Sequence, residues 1–131
     1  MKITSVIARF LLGLIFLVFG LNGFFHFLSM PAPTGVAGQF MGALFVSQYL
    51  VVVFALQLIG AVLLLINRYV PLALAILAPI IFNILLFHSL MAPSGLPLAL
   101  VTTIVWILVF LGVRSAFAGL LQPRAAVPAS R

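Results

Sequence analysis

Residues 10–28 read FLLGLIFLVFGLNGFFHFL, nineteen residues without a charge. The apolar part of a secretion signal spans only about 7–15 residues, whereas a helix needs about 20 to cross a hydrocarbon core of about 30 Å. No clear small-x-small cleavage site interrupts the run before the turn-rich Met30-Pro31-Ala32-Pro33-Thr34-Gly35. The stretch is therefore read as an uncleaved first membrane-spanning helix. Three further apolar runs, 49–66, 70–90 and 96–113, have the same character. Together they predict an all-α fold, an integral membrane four-helix bundle. One domain is expected over 1–118, followed by a basic tail over 119–131.

Composition points the same way. The 131 residues contain no Asp or Glu, 66% are apolar, and only 5% are charged. A soluble surface is typically about 25–35% charged. A mean hydropathy of +1.48 excludes disorder and an ordinary globular core. The pI of about 11.8 invites a nucleic-acid partner. The cations Lys2, Arg9, Arg68, Arg114, Arg124 and Arg131 stand singly, however, and offer no phosphate-binding cluster.

Their placement instead reads as topology. Lys2 and Arg9 precede the first run, Arg68 falls between the second and third, and the other three follow the fourth. Cytoplasmic loops of membrane proteins are enriched in Lys and Arg. Both termini are thus expected in the cytoplasm. The loop 29–48 carries no charge, and its stretch 39–45 suits a short helix lying in the interface. Ala92-Pro93-Ser94-Gly95 forms a tight turn between the last two helices.

Absent residue types narrow the chemistry. Without cysteine there is no dithiol redox chemistry, thiolate nucleophile or cysteine-held cluster. Without carboxylates, paired acid–base catalysis and hard-cation sites built on side-chain anions are excluded. Two histidines alone make an incomplete metal site, so no metal is expected. The chain by itself is not expected to be catalytic.

Polar side chains inside lipid are costly and usually face the bundle interior or a cavity. Each predicted helix offers a candidate at a similar depth: Asn22, Gln57, Asn83 and Thr103. Counted at 1.5 Å per residue from the cationic ends, they fall about 16–20 Å deep. His26 and His88 fall nearer the opposite interface, where they could anchor the helices or handle protons. The four uncharged groups have two readings. They bind helices together, or they form a pocket for the head of an amphiphile such as a quinone carbonyl. Pro79 lies one turn before Asn83 and removes a backbone donor, which could open space beside the amide. A faint echo links the halves: Asn22 precedes Met30 and Ala32-Pro33-Thr34-Gly35 as Asn83 precedes Met91 and Ala92-Pro93-Ser94-Gly95.

Two stretches carry a family resemblance. RFLLGLIFLVFGLN over 9–22, and ALQLIGA over 55–61 continuing through Asn67-Arg68-Tyr69-Val70-Pro71 to Asn83, are similar to the first three helices of DoxX-like proteins. The resemblance implies a small four-helix protein of the bacterial inner membrane. It also implies association with quinone-linked redox complexes, to which some relatives belong. Relatives often carry an acidic residue where this chain has Gln57, and an Asn-Lys pair where it has Asn22-Gly23. The resulting expectation is a quinone-associated or accessory subunit. Its ligand contacts would be Asn22, Gln57, Asn83 and Thr103, with His26 and His88 at the mouth. Binding or transport of a lipid or small apolar molecule is the alternative, as is a structural role without ligand. Expected partners are membrane lipids, redox-complex subunits or a second copy of the chain.

Overall fold

The computed structural model describes residues 2–125, 127 and 128; Arg131, one of the expected cytoplasmic cations, lies outside them. The first helix, α1, spans Ile3–Phe25. It begins seven residues before the expected 10–28 and ends three residues sooner. Its end is set locally. His26 turns left-handed (φ 51°) and donates its N–H to the Asn22 carbonyl, a recurrent way to close a helix. The Asn22 side-chain oxygen then accepts from the Leu28 N–H at 2.7 Å. At the other end, Arg9 lies inside the helix and is buried, because its guanidinium finds the Leu64 carbonyl.

Helix α2 spans Gly35–Val46 and α3 spans Tyr49–Leu65. They meet at 83° across Ser47 and a left-handed Gln48 (φ 66°). Only Ala37 of α2 is buried. The left-handed Asn67 and Tyr69 flank Arg68 and turn the chain into α4, Val70–Leu90. Pro71 falls in the first turn of α4, where its missing N–H costs nothing. The helix runs unbroken through Pro79. A 3-10 turn, Pro93–Gly95, leads into α5, Leu96–Val113. A second 3-10 segment, Arg114–Leu121, continues past Gly119, where the tail was expected to begin.

The four long helices form a ring in which α1 packs on α3 and α5, and α4 packs on the same two. Neighbours are antiparallel, since Arg9 meets Leu64, Ser5 meets Leu108 and Trp106 meets Leu74. Leu12, Phe16, Leu64, Leu74, Leu77 and Val109 fill the centre. Helix α1 packs closely on α3, where a Cβ on Gly23 would stand 2.2 Å from the Phe54 ring. Small residues permit such contact where lipid supplies no hydrophobic drive between helices.

Ile3–Phe25, Val70–Leu90 and Pro93–Leu121 are each long and apolar enough to cross a membrane, and α2 with α3 makes a fourth if the bent pair is one span. The outer surface matches. Leu14, Ile59, Leu72, Phe82, Val101 and Ile104 are among many large apolar side chains left exposed on all four helices. Lys2, Arg9, Arg68 and Arg114 fall at the end where α1 and α4 begin and α3 and α5 finish.

Candidate functional site

The polar groups nominated from sequence do not converge on one cavity. Asn22 is buried, and its side-chain oxygen is already committed to Leu28. Gln57 is also buried, on the same face of α3 as Ala61 and Leu64. It lies against α1, where a Cβ on Gly20 would be 3.5 Å from the Gln57 Cβ. Its carboxamide makes no hydrogen bond among the described residues. The fully enclosed side-chain polar atom without a partner among the described residues is Arg9 Nε, not the Gln57 amide.

Thr103 is half-buried and donates to Ala99 at 2.8 Å. Its neighbour Thr102 is the buried one, donating to Leu98 at 2.9 Å. Of the adjacent pair, the threonine expected in the polar layer, Thr103, is the less buried. Both satisfy themselves within α5, four residues back, as threonines in helices can.

Asn83 lies on the outside. It is exposed on the outer face of α4, with its amide N–H donated to Pro79 at 2.8 Å. One turn further along, Phe87 stacks with Phe40 of α2, ring centres 5.8 Å apart. Asn83 therefore stands one turn from the place where a ring of α2 meets a ring of α4. Its carbonyl oxygen and second N–H have no partner among the described residues. The two asparagines of the sequence echo thus do different work, one closing a helix and one facing outward.

His26 is exposed at the end of α1. His88 is half-buried, with Nδ1 3.0 Å from the Ala92 carbonyl and its ring edge-on to Phe87. Gly95 makes room for it: a Cβ there would come within 2.2 Å of the imidazole. His88 and Asn83 both lie toward the α2 end of α4, whereas His26 lies across the bundle on α1.

Two surface hollows lie along α3. One of about 570 Å³ is lined by Leu63, Ile66, Arg68 and Tyr69, and one of about 300 Å³ by Leu58, Ile59, Val62 and Leu63. Neither includes Asn22, Gln57, Asn83 or Thr103. Arg9, Ser5 and Trp106 were not singled out for the interhelical bonds they make. Their partners are backbone carbonyls distant in sequence, which no local pattern marks.

Comparison with protein-family models, with curated proteins and with solved structures finds no match. The fold and its surface define a small all-helical protein with three or four segments able to span a membrane.

Proposed function

We propose that this chain is a DoxX-like multi-pass protein of the bacterial inner membrane, with both termini in the cytoplasm. In this reading it serves as a quinone-associated or accessory subunit of a membrane redox system. The orientation rests on the shared end of Lys2, Arg9, Arg68 and Arg114 and on the preference of such residues for the cytoplasmic side.

The exposed amide of Asn83 carries the ligand assignment. It stands on an apolar outer face, beside the stacked Phe40 and Phe87, with hydrogen-bonding capacity to spare. A quinone moving laterally through lipid can bring a carbonyl oxygen to this N–H and an isoprenoid tail along the outer face. A neutral amide does this without the desolvation penalty of a buried ion. The ring systems of Phe40 and Phe87 offer an edge for the quinone ring. The chain brings no thiol, carboxylate or cofactor ligand set of its own, so electron transfer would fall to a partner subunit.

The test is lipid extraction of the purified protein followed by mass spectrometry, on wild type and Asn83→Leu. A quinone in wild type that is lost from a folded Asn83→Leu supports the proposal. A different lipid released by the same substitution would favour the lipid-binding alternative. Equal quinone in both proteins, or none in wild type, would reject the assignment.

A further inference from the structure

We propose that α3 and the α3–α4 turn form a site for an anionic phospholipid, with one acyl chain lying in the groove and its phosphate received by Arg68. The two shallow hollows lie side by side along α3 and share Leu63 as a lining residue, and together they are taken as one groove. Ile59, Val62, Leu63 and Ile66 recur at helical spacing along a single face of α3. Ile59 is 50% exposed, Val62 47% and Ile66 57%, so the groove is open to its surroundings. From Leu58 to Ile66 it runs about 12 Å along the helix axis. It closes on Arg68 and Tyr69 at the cationic end.

Charge complementarity identifies the occupant. The sequence contains no Asp or Glu, so no side chain of this protein can pair with Arg68. Arg9 turns inward to a carbonyl, which leaves its Nε without a partner among the described residues, whereas Arg68 is exposed. A guanidinium presents a planar fork suited to phosphate oxygens. An exposed Tyr69 beside it is the kind of residue that settles at headgroup level. An apolar groove ending on an unmatched cation thus fits a molecule with an acyl chain and an anionic phosphate. The site is independent of the quinone reading. Asn83 lies thirteen residues beyond Val70, about 20 Å along α4 from the turn that holds Arg68.

The experiment is native mass spectrometry of the full chain taken from bilayers of phosphatidylglycerol and phosphatidylcholine. The variants are Arg68→Gln, Val62→Trp to fill the groove, and Arg114→Gln as a second cation at the same end. Wild type should retain phosphatidylglycerol in preference to phosphatidylcholine. Arg68→Gln should lower that retention about fivefold, the effect expected of one basic residue at an anionic surface. Val62→Trp should lower it comparably while circular dichroism and unfolding temperature stay unchanged, and Arg114→Gln should leave it nearly intact. Excess glycerol phosphate should fail to displace the lipid. Undiminished retention in Arg68→Gln, an equal loss in Arg114→Gln, or displacement by glycerol phosphate would each overturn the proposal.

Discussion

The guanidinium of Arg9, in the second turn of α1, donates to the backbone carbonyl of Leu64 near the end of α3. The charge is buried in a protein that has no acidic side chain to match it. A helix C-terminus is the negative end of the helix dipole, so the Leu64 carbonyl substitutes for a carboxylate. The Phe10 ring, 4.4 Å from the guanidinium carbon, adds a second favourable contact. Two further bonds of the same kind lie at this end. Ser5 of α1 donates to Leu108 of α5 at 3.2 Å, and Trp106 of α5 donates to Leu74 of α4 at 3.1 Å. Three side chains thus stitch α1 to α3, α1 to α5 and α5 to α4, while the short turn at Arg68 joins α3 to α4. The cationic end is the fastened end of the bundle.

Removing Arg9 should therefore cost more than removing either neutral stitch. Hydrogen bonds from charged donors contribute about 1.5–3 kcal/mol, against about 1 kcal/mol for neutral ones. Arg9→Ala is expected to lower stability by about 2 kcal/mol or more, adding the loss of its buried stem. Trp106→Phe is expected to lower it by about 1 kcal/mol. Denaturant titration in detergent micelles measures both. Equal stability of Arg9→Ala and wild type would show that the Leu64 contact is not structural.

The α1–α3 contact makes a sharper contrast between two glycines. A Cβ at Gly23 would overlap the root of the Phe54 ring, which cannot swing aside as a flexible tip would. Gly23→Ala should destabilise the bundle by about 1–3 kcal/mol through overpacking. Gly42, in α2, has nothing within 4 Å of such a Cβ. Gly42→Ala should be neutral or stabilise by up to about 1 kcal/mol, because alanine favours the helix. Thermal unfolding of the two variants under one condition checks the ordering, which must not reverse.

Gln57 offers a prediction of opposite sign. The residue is buried, yet its carboxamide is not fully enclosed and makes no hydrogen bond among the described residues. Gln57→Leu replaces a polar group that makes no protein hydrogen bond among the described residues, while keeping most of the volume. Stability should stay level or rise by about 1 kcal/mol. A fall of more than that would mean that the amide has a partner, such as a bound ligand, in the native protein.

The sequence shows the helices more clearly than their facing. The turns at Asn67-Arg68-Tyr69 and Pro93-Ser94-Gly95, with Pro71 and Pro97 just inside the next helix, mark the bounds of α4 and α5 locally. The start of α1 is hidden because Arg9 reads as a boundary. Only a contact 55 residues away, with Leu64, allows it inside the helix. Beyond the end of α1 the Asn22 side chain accepts from the Leu28 N–H, a use of asparagine indistinguishable from ligand binding in sequence. Which of Thr102 and Thr103 faces inward was equally illegible. A helix that is apolar all round carries no amphipathic stripe from which to read its orientation. Asn83 was expected to look inward for the same reason, and it faces out.

The bundle is expected to cross a membrane with its cationic end in the cytoplasm. The chain has no cysteine, so single cysteines can be introduced without background. Thr34→Cys and Ser94→Cys sit in the uncharged turns, Ser115→Cys at the cationic end, and Ile104→Cys on the apolar flank of α5. In intact cells stripped of their outer membrane, an impermeant maleimide should label Thr34→Cys and Ser94→Cys at once. Ser115→Cys should be labelled only after lysis, and Ile104→Cys in neither state without detergent. Labelling of Thr34→Cys and Ser115→Cys from the same side, or free labelling of Ile104→Cys in intact membranes, would contradict this arrangement.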